Sequence, residues 1–123
     1  MMETLLWIYF VNLVFLINHE LDSAYWKEWD LFRLPGGITG FLALHFPLFS
    51  FFLYGLLMIY EGARSGLIIS MLLSLSGVFA FAIHIYFLRK GRDEFNTPAS
   101  KFILASILIL SIAQLIITSG LLI

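Results

Sequence analysis

Charged residues in this chain are gathered into short clusters, and the clusters separate four apolar blocks that begin at Thr4, Ile38, Leu67 and Phe102. A helix needs roughly 20 apolar residues to cross about 30 Å of hydrocarbon. Four such spans, expected at about 3–21, 38–60, 67–88 and 102–123, use nearly all of the 123 residues. The composition agrees: 61% of residues are hydrophobic and 12% charged, with a mean hydropathy of +0.98, against about a quarter charged in soluble domains. The reading is one all-α domain, 1–123, a polytopic membrane protein with no room for a soluble catalytic domain.

The first block is the shortest and could pass for the core of a signal peptide. It has an acidic residue, Glu3, where a basic region belongs, and no small-residue cleavage site follows. Continued from Met1 to Leu21, a helix covers about 30 Å, so the block is read as the first span. Within the spans, Pro47 lacks an amide hydrogen and frees the carbonyl of Ala43, near His45. Gly66, Ser70 and Ser74 form a small-residue ridge on the third span, continued by Gly77, Phe81 and His84, and Ser111, Gln114 and Thr118 share one side of the fourth. Asn12 and Gln114, near mid-span, are suited to hydrogen bonding between helices.

Between the first two spans, residues 24–34 read as a short helix on the membrane surface, with Tyr25, Trp26, Trp29 and Phe32 in one aromatic sector. Pro35, Gly36 and Gly37 turn the chain back into the bilayer, and Gly36 with Gly40 forms a small-residue patch. Six of the seven basic residues, Lys27, Arg33, Arg89, Lys90, Arg92 and Lys101, fall in the first and third loops. Because cytoplasmic loops collect Lys and Arg, those loops are expected in the cytoplasm and both termini outside.

That topology brings all three histidines to one leaflet. His19 ends the first span, His45 lies about 10 Å in from Ile38, and His84 about 6 Å in from Leu88. His19, Asp22, Ser23 and Trp26 follow helical spacing, so one face presents an imidazole beside a carboxylate. Ionisable groups at membrane depth face the bundle interior, pair with one another or line a polar cavity. The candidate site is therefore His19, Glu20, Asp22, His45 and His84. The sharper form is a metal centre in which His19, His45 and His84 bind through ring nitrogens, and Asp22 or Glu20 completes or orients the set; such donors suit zinc or non-haem iron. The plainer form is a knot of histidines hydrogen-bonded to carboxylates, Tyr86 or backbone. His19-Glu20-Leu21-Asp22-Ser23 is not H-E-x-x-H, since Ser23 stands where the second histidine would be. With no cysteine, thiolate sites and thiol nucleophiles are excluded, and a net charge of −1 points to no nucleic-acid partner.

The residues His19, Glu20, Asp22, Ser23, Ala24, Tyr25, Trp26, Glu28 and Trp29, followed by Leu34, Pro35, Gly36 and Gly37, resemble the His-Glu-x-Asp-Ser-Ala-Tyr-Trp-x-Glu-Trp and Leu-Pro-Gly-Gly pattern of a family of small bacterial membrane proteins of unknown function. The resemblance covers about a fifth of the chain in specific residues and is hydropathic elsewhere. It implies a four-helix membrane protein from a bacterium and carries no activity; the membrane expected from the reading as a whole is the bacterial inner membrane. Three functions stay open: a membrane-embedded enzyme or metal-dependent protein acting on a lipophilic substrate; a noncatalytic scaffold or subunit whose glycine and serine faces bind a second copy or another membrane protein; and a small proton- or ion-coupled carrier or channel. The last has a thin supply of polar groups in the outer half, namely Asn12, Ser50, Tyr54, Gln114, Thr118 and Glu61.

Overall fold

The computed structural model describes residues 1–123 and contains five helices and no strand. They are α1 (Met2–Tyr25), α2 (Glu28–Leu31), α3 (Gly37–Tyr60), α4 (Arg64–Arg89) and α5 (Pro98–Leu122). All but α2 are long and apolar enough to cross a membrane, which makes this a multi-pass membrane protein. α1 runs four residues past its expected end, and α4 and α5 begin three and four residues before their expected starts, because polar residues such as Asp22, Ser23, Arg64 and Ser100 extend the helices beyond their apolar stretch, whereas α3 matches its expected limits to within one residue.

Neighbours in sequence are neighbours in space. α3 packs on α4, α4 on α5, and both α3 and α5 on α1, which leaves α3 and α5 on opposite corners. Small residues set the close approaches: a side chain at Gly66 would strike the backbone of Met58 and Ile59, and one at Gly77 would strike Ser111 of α5. The small-residue ridge on α4 thus faces α3 at one end and α5 along the middle. Gly36 and Gly40 play a different part from the helix-packing patch expected of them. A Cβ at Gly36 would lie 3.1 Å from the Gly40 Cα, and one at Gly40 would lie 3.2 Å from the Pro35 carbonyl oxygen, so the pair folds the Pro35–Gly37 turn onto the start of α3.

Polarity is inverted relative to a soluble bundle. Asn12, Ser70, Ser74, Ser111, Gln114 and Thr118 are all fully buried, while Trp7, Phe46, Leu57, Ile109 and Ile116 are exposed. The buried polar groups form one seam. Asn12 donates to Gln114 Oε1 at 2.8 Å and to Ser111 Oγ at 3.1 Å; Gln114 donates in turn to Ser70 Oγ at 2.9 Å, and Ser70 meets Thr118 Oγ1 at 2.8 Å. In hydrocarbon, where no water competes, such bonds hold α1, α4 and α5 together at about 0.6–2 kcal/mol each.

The short helix between the first two spans is a single turn. Lys27 takes a left-handed conformation, φ +53°, and Arg33 another, φ +56°, so the chain breaks out of α1 and closes α2 after Leu31. The aromatic residues therefore do not share one lipid-facing sector. Trp26 packs against Phe95, Trp29 against Phe41 of α3, and Phe32 against Phe87 of α4. The segment caps the end of the bundle at which the α1–α3 and α4–α5 connections lie.

Candidate metal centre

Under that cap, α1 brings His19 and α4 brings His84 to the same level, with ring centroids 4.8 Å apart. Both are 2% exposed. Glu28, the first residue of α2, reaches down to them, and its Oε2 lies 3.2 Å from His84 Nε2. One ligating atom from each of His19, Glu28 and His84 lies within 4.8 Å of the other two. Around a tetrahedral zinc ion, two donors at about 2.1 Å stand about 3.4 Å apart. The Glu28–His84 separation of 3.2 Å is already of that size, and the three atoms, all within 4.8 Å of one another, have at most about 1.4 Å to close. Two histidines and a carboxylate are the donor set of zinc hydrolases and of non-haem iron sites.

Second contacts hold the carboxylate. Ser23 Oγ, one turn beyond His19, lies 2.8 Å from Glu28 Oε2 and 2.9 Å from the His19 carbonyl oxygen, so its single proton is shared between α1 and α2. Burial pushes the Glu28 carboxyl up, but hydrogen bonds from His84 and Ser23 and the nearby imidazoles outweigh it and hold the group below its ordinary value of 4.5. The other side of the site is closed by Phe95 from the α4–α5 loop. This residue is 1% exposed, and its ring centroid lies 4.1 Å from that of His84 and 5.4 Å from that of His19. Phe95 has φ +64°, a conformation costly for a bulky side chain, and it is kept there by the burial of its ring among His19, His84 and Trp26. Nδ1 of both histidines is buried with no hydrogen-bond partner.

The five residues proposed from sequence divide into two groups and a remainder. His19 and His84 come together. His45 does not join them; it pairs with Glu20, Nε2 to Oε2 at 2.7 Å, and its Nδ1 donates to the Phe41 carbonyl oxygen at 2.6 Å. α3 presents His45 to α1 on the side where Glu20 projects. Asp22 belongs to neither group: its Oδ2 is buried without a partner, as is Trp26 Nε1 four residues on. Glu28 is the member that sequence reasoning passed over. It stood within the segment that carried the family resemblance, but helical spacing from His19 could not place it because the helix breaks at Lys27. Phe95 left no signal in a loop dominated by charge.

Searches among curated proteins and among solved structures return no match. A family model does match, over residues 5–121, and the chain therefore belongs to the family of unknown function DUF6713.

Proposed function

We propose that this protein binds one divalent transition metal, zinc or ferrous iron, through His19, Glu28 and His84, and uses it on a lipophilic substrate at the cytoplasmic face of a bacterial inner membrane. The observation that carries the reading is the convergence of three ligating atoms from α1, α2 and α4 to within 4.8 Å of one another, two of them on buried histidines. Three protein ligands would leave a fourth position open, the pattern of catalytic rather than structural zinc, and a metal held there would supply Lewis acidity near neutral pH. The site stands at the end of the bundle that holds six of the seven basic residues, which supports a cytoplasmic placement.

The test is the metal content of protein purified in detergent from cells grown with added zinc and iron. About one equivalent is expected in the wild type, and in His19→Ala and His84→Ala less than about a tenth of that, because each removes a ligand from a three-ligand site. His45→Ala is expected to keep its metal. A metal-free wild-type protein, or a His84→Ala variant that retains the ion, overturns the proposal and leaves a hydrogen-bonded knot as the role of these residues.

A further inference from the structure

Beside the metal centre, α1, α3 and α4 enclose a separate cavity of about 350 Å³, within the range of small-molecule sites. Its walls are apolar: Leu13 and Leu16 from α1, Phe49 and Phe52 from α3, Leu73 and Ala80 from α4. Ser76 and Phe79, which are exposed, also line it, so it opens toward lipid. Along α1 the lining runs from Leu13 to Glu20, about 10 Å at the rise of a helix. Glu20 is the only ionisable residue in the wall, and it stands at the end nearer the α1–α3 connection.

The chemistry of that end is constrained by one proton. A backbone carbonyl can only accept, so His45 Nδ1 donates to Phe41, and a single proton then lies between His45 Nε2 and Glu20 Oε2, 2.7 Å apart. Wherever that proton rests, the pair is neutral as a unit. A cationic head group added here would be an unpaired charge in a low-dielectric site, and an anionic one would face the carboxylate. Glu20 Oε2 is engaged with His45, and Oε1 makes no hydrogen bond within the protein. The Glu20 side chain is partly exposed, so Oε1 is free to accept a hydrogen bond from a ligand in the cavity.

We propose that this cavity binds a neutral lipid with one hydroxyl group, its hydroxyl donating to Glu20 Oε1 and its chain lying along Leu16, Phe52 and Leu73. A long-chain alcohol and a diacylglycerol share this chemistry. As a binding site it needs no metal; it rests on the metal reading only in making this lipid the substrate of the neighbouring centre.

The probe is a photoreactive dodecanol added to the full-length protein in phosphatidylcholine nanodiscs, with labelled residues mapped by mass spectrometry. Labelling is expected on the α1, α3 and α4 walls, and unlabelled dodecanol is expected to compete up to about tenfold better than dodecane, the factor of one hydrogen bond. Diacylglycerol in place of dodecanol as competitor tells the two sources apart. Glu20→Leu is expected to bring the alcohol-to-alkane ratio close to one, and Ala80→Phe, which fills the cavity and keeps the Glu20–His45 pair, to abolish labelling. Equal competition by alcohol and alkane identifies ordinary acyl chains as the occupant and overturns the proposal. So does stronger competition by dodecanoate, an unchanged ratio in Glu20→Leu, or persistent labelling in Ala80→Phe. Metal analysis of the same preparations separates the two ideas: a metal-free wild type that prefers the alcohol removes the proposed function alone, and a metal-loaded one that does not prefer it removes this site alone.

Discussion

Glu28 joins three elements through one carboxylate, since it meets Ser23 of α1 and His84 of α4 from its own place on α2. Its folded-state pKa lies below the ordinary value, so the folded protein holds the charged form more tightly than the unfolded chain does. That contribution is complete above the ordinary pKa and is lost as the pH falls through the depressed folded value. With chelator present, the melting temperature in detergent is expected to drop as the pH falls below the ordinary value of 4.5, and Glu28→Gln to flatten that part of the profile while leaving the rest unchanged. A wild-type profile that does not fall below that value, or a variant profile of the same shape, would show that the carboxylate has no such linkage. Chelation matters to the design because protons also displace metal from its ligands.

At the scale of elements, the position of Glu28 depends on how α1 ends. Lys27, at φ +53°, redirects the chain so that α2 crosses the mouth of the bundle. Glycine adopts that conformation freely, whereas a β-branched residue meets a steric penalty. Lys27→Gly is expected to keep both stability and metal content, and Lys27→Val to lower stability by about 1–2 kcal/mol and to weaken metal retention, both read from detergent melts and metal analysis. Equal behaviour of the two variants would remove the turn from the account. The same break explains what could and could not be read in the sequence. Apolar length identified four spans, and the helical rise put His19, His45 and His84 at a common depth. Depth is a property of one helix, but the direction a residue faces depends on how neighbouring helices are rotated, so His45 and His84 could be levelled without being told apart. The carboxylate that meets His84 lay beyond a left-handed residue, where helical periodicity no longer applies.

Viewed whole, the molecule buries a polar seam and turns many large apolar side chains outward, with the Asn12–Ser111–Gln114–Ser70 seam at mid-span and the three histidines with Glu20 and Glu28 at one end. The proposed orientation can be measured directly, because the chain has no native cysteine. A cysteine replacing Glu61, in the α3–α4 turn, is expected to react with an impermeant maleimide in intact cells, and one replacing Asp93, in the α4–α5 loop, only after lysis. The reverse pattern would turn the protein over and put the histidines at the outer leaflet. Phe95 closes the histidine pocket from the same loop, held in an unfavourable backbone state by the ring it buries. Were the proposed ion held at His19 and His84, one leaving on that side would have to wait for the phenyl ring to withdraw, so its residence time would be set by how often the loop breathes as well as by the strength of its ligands.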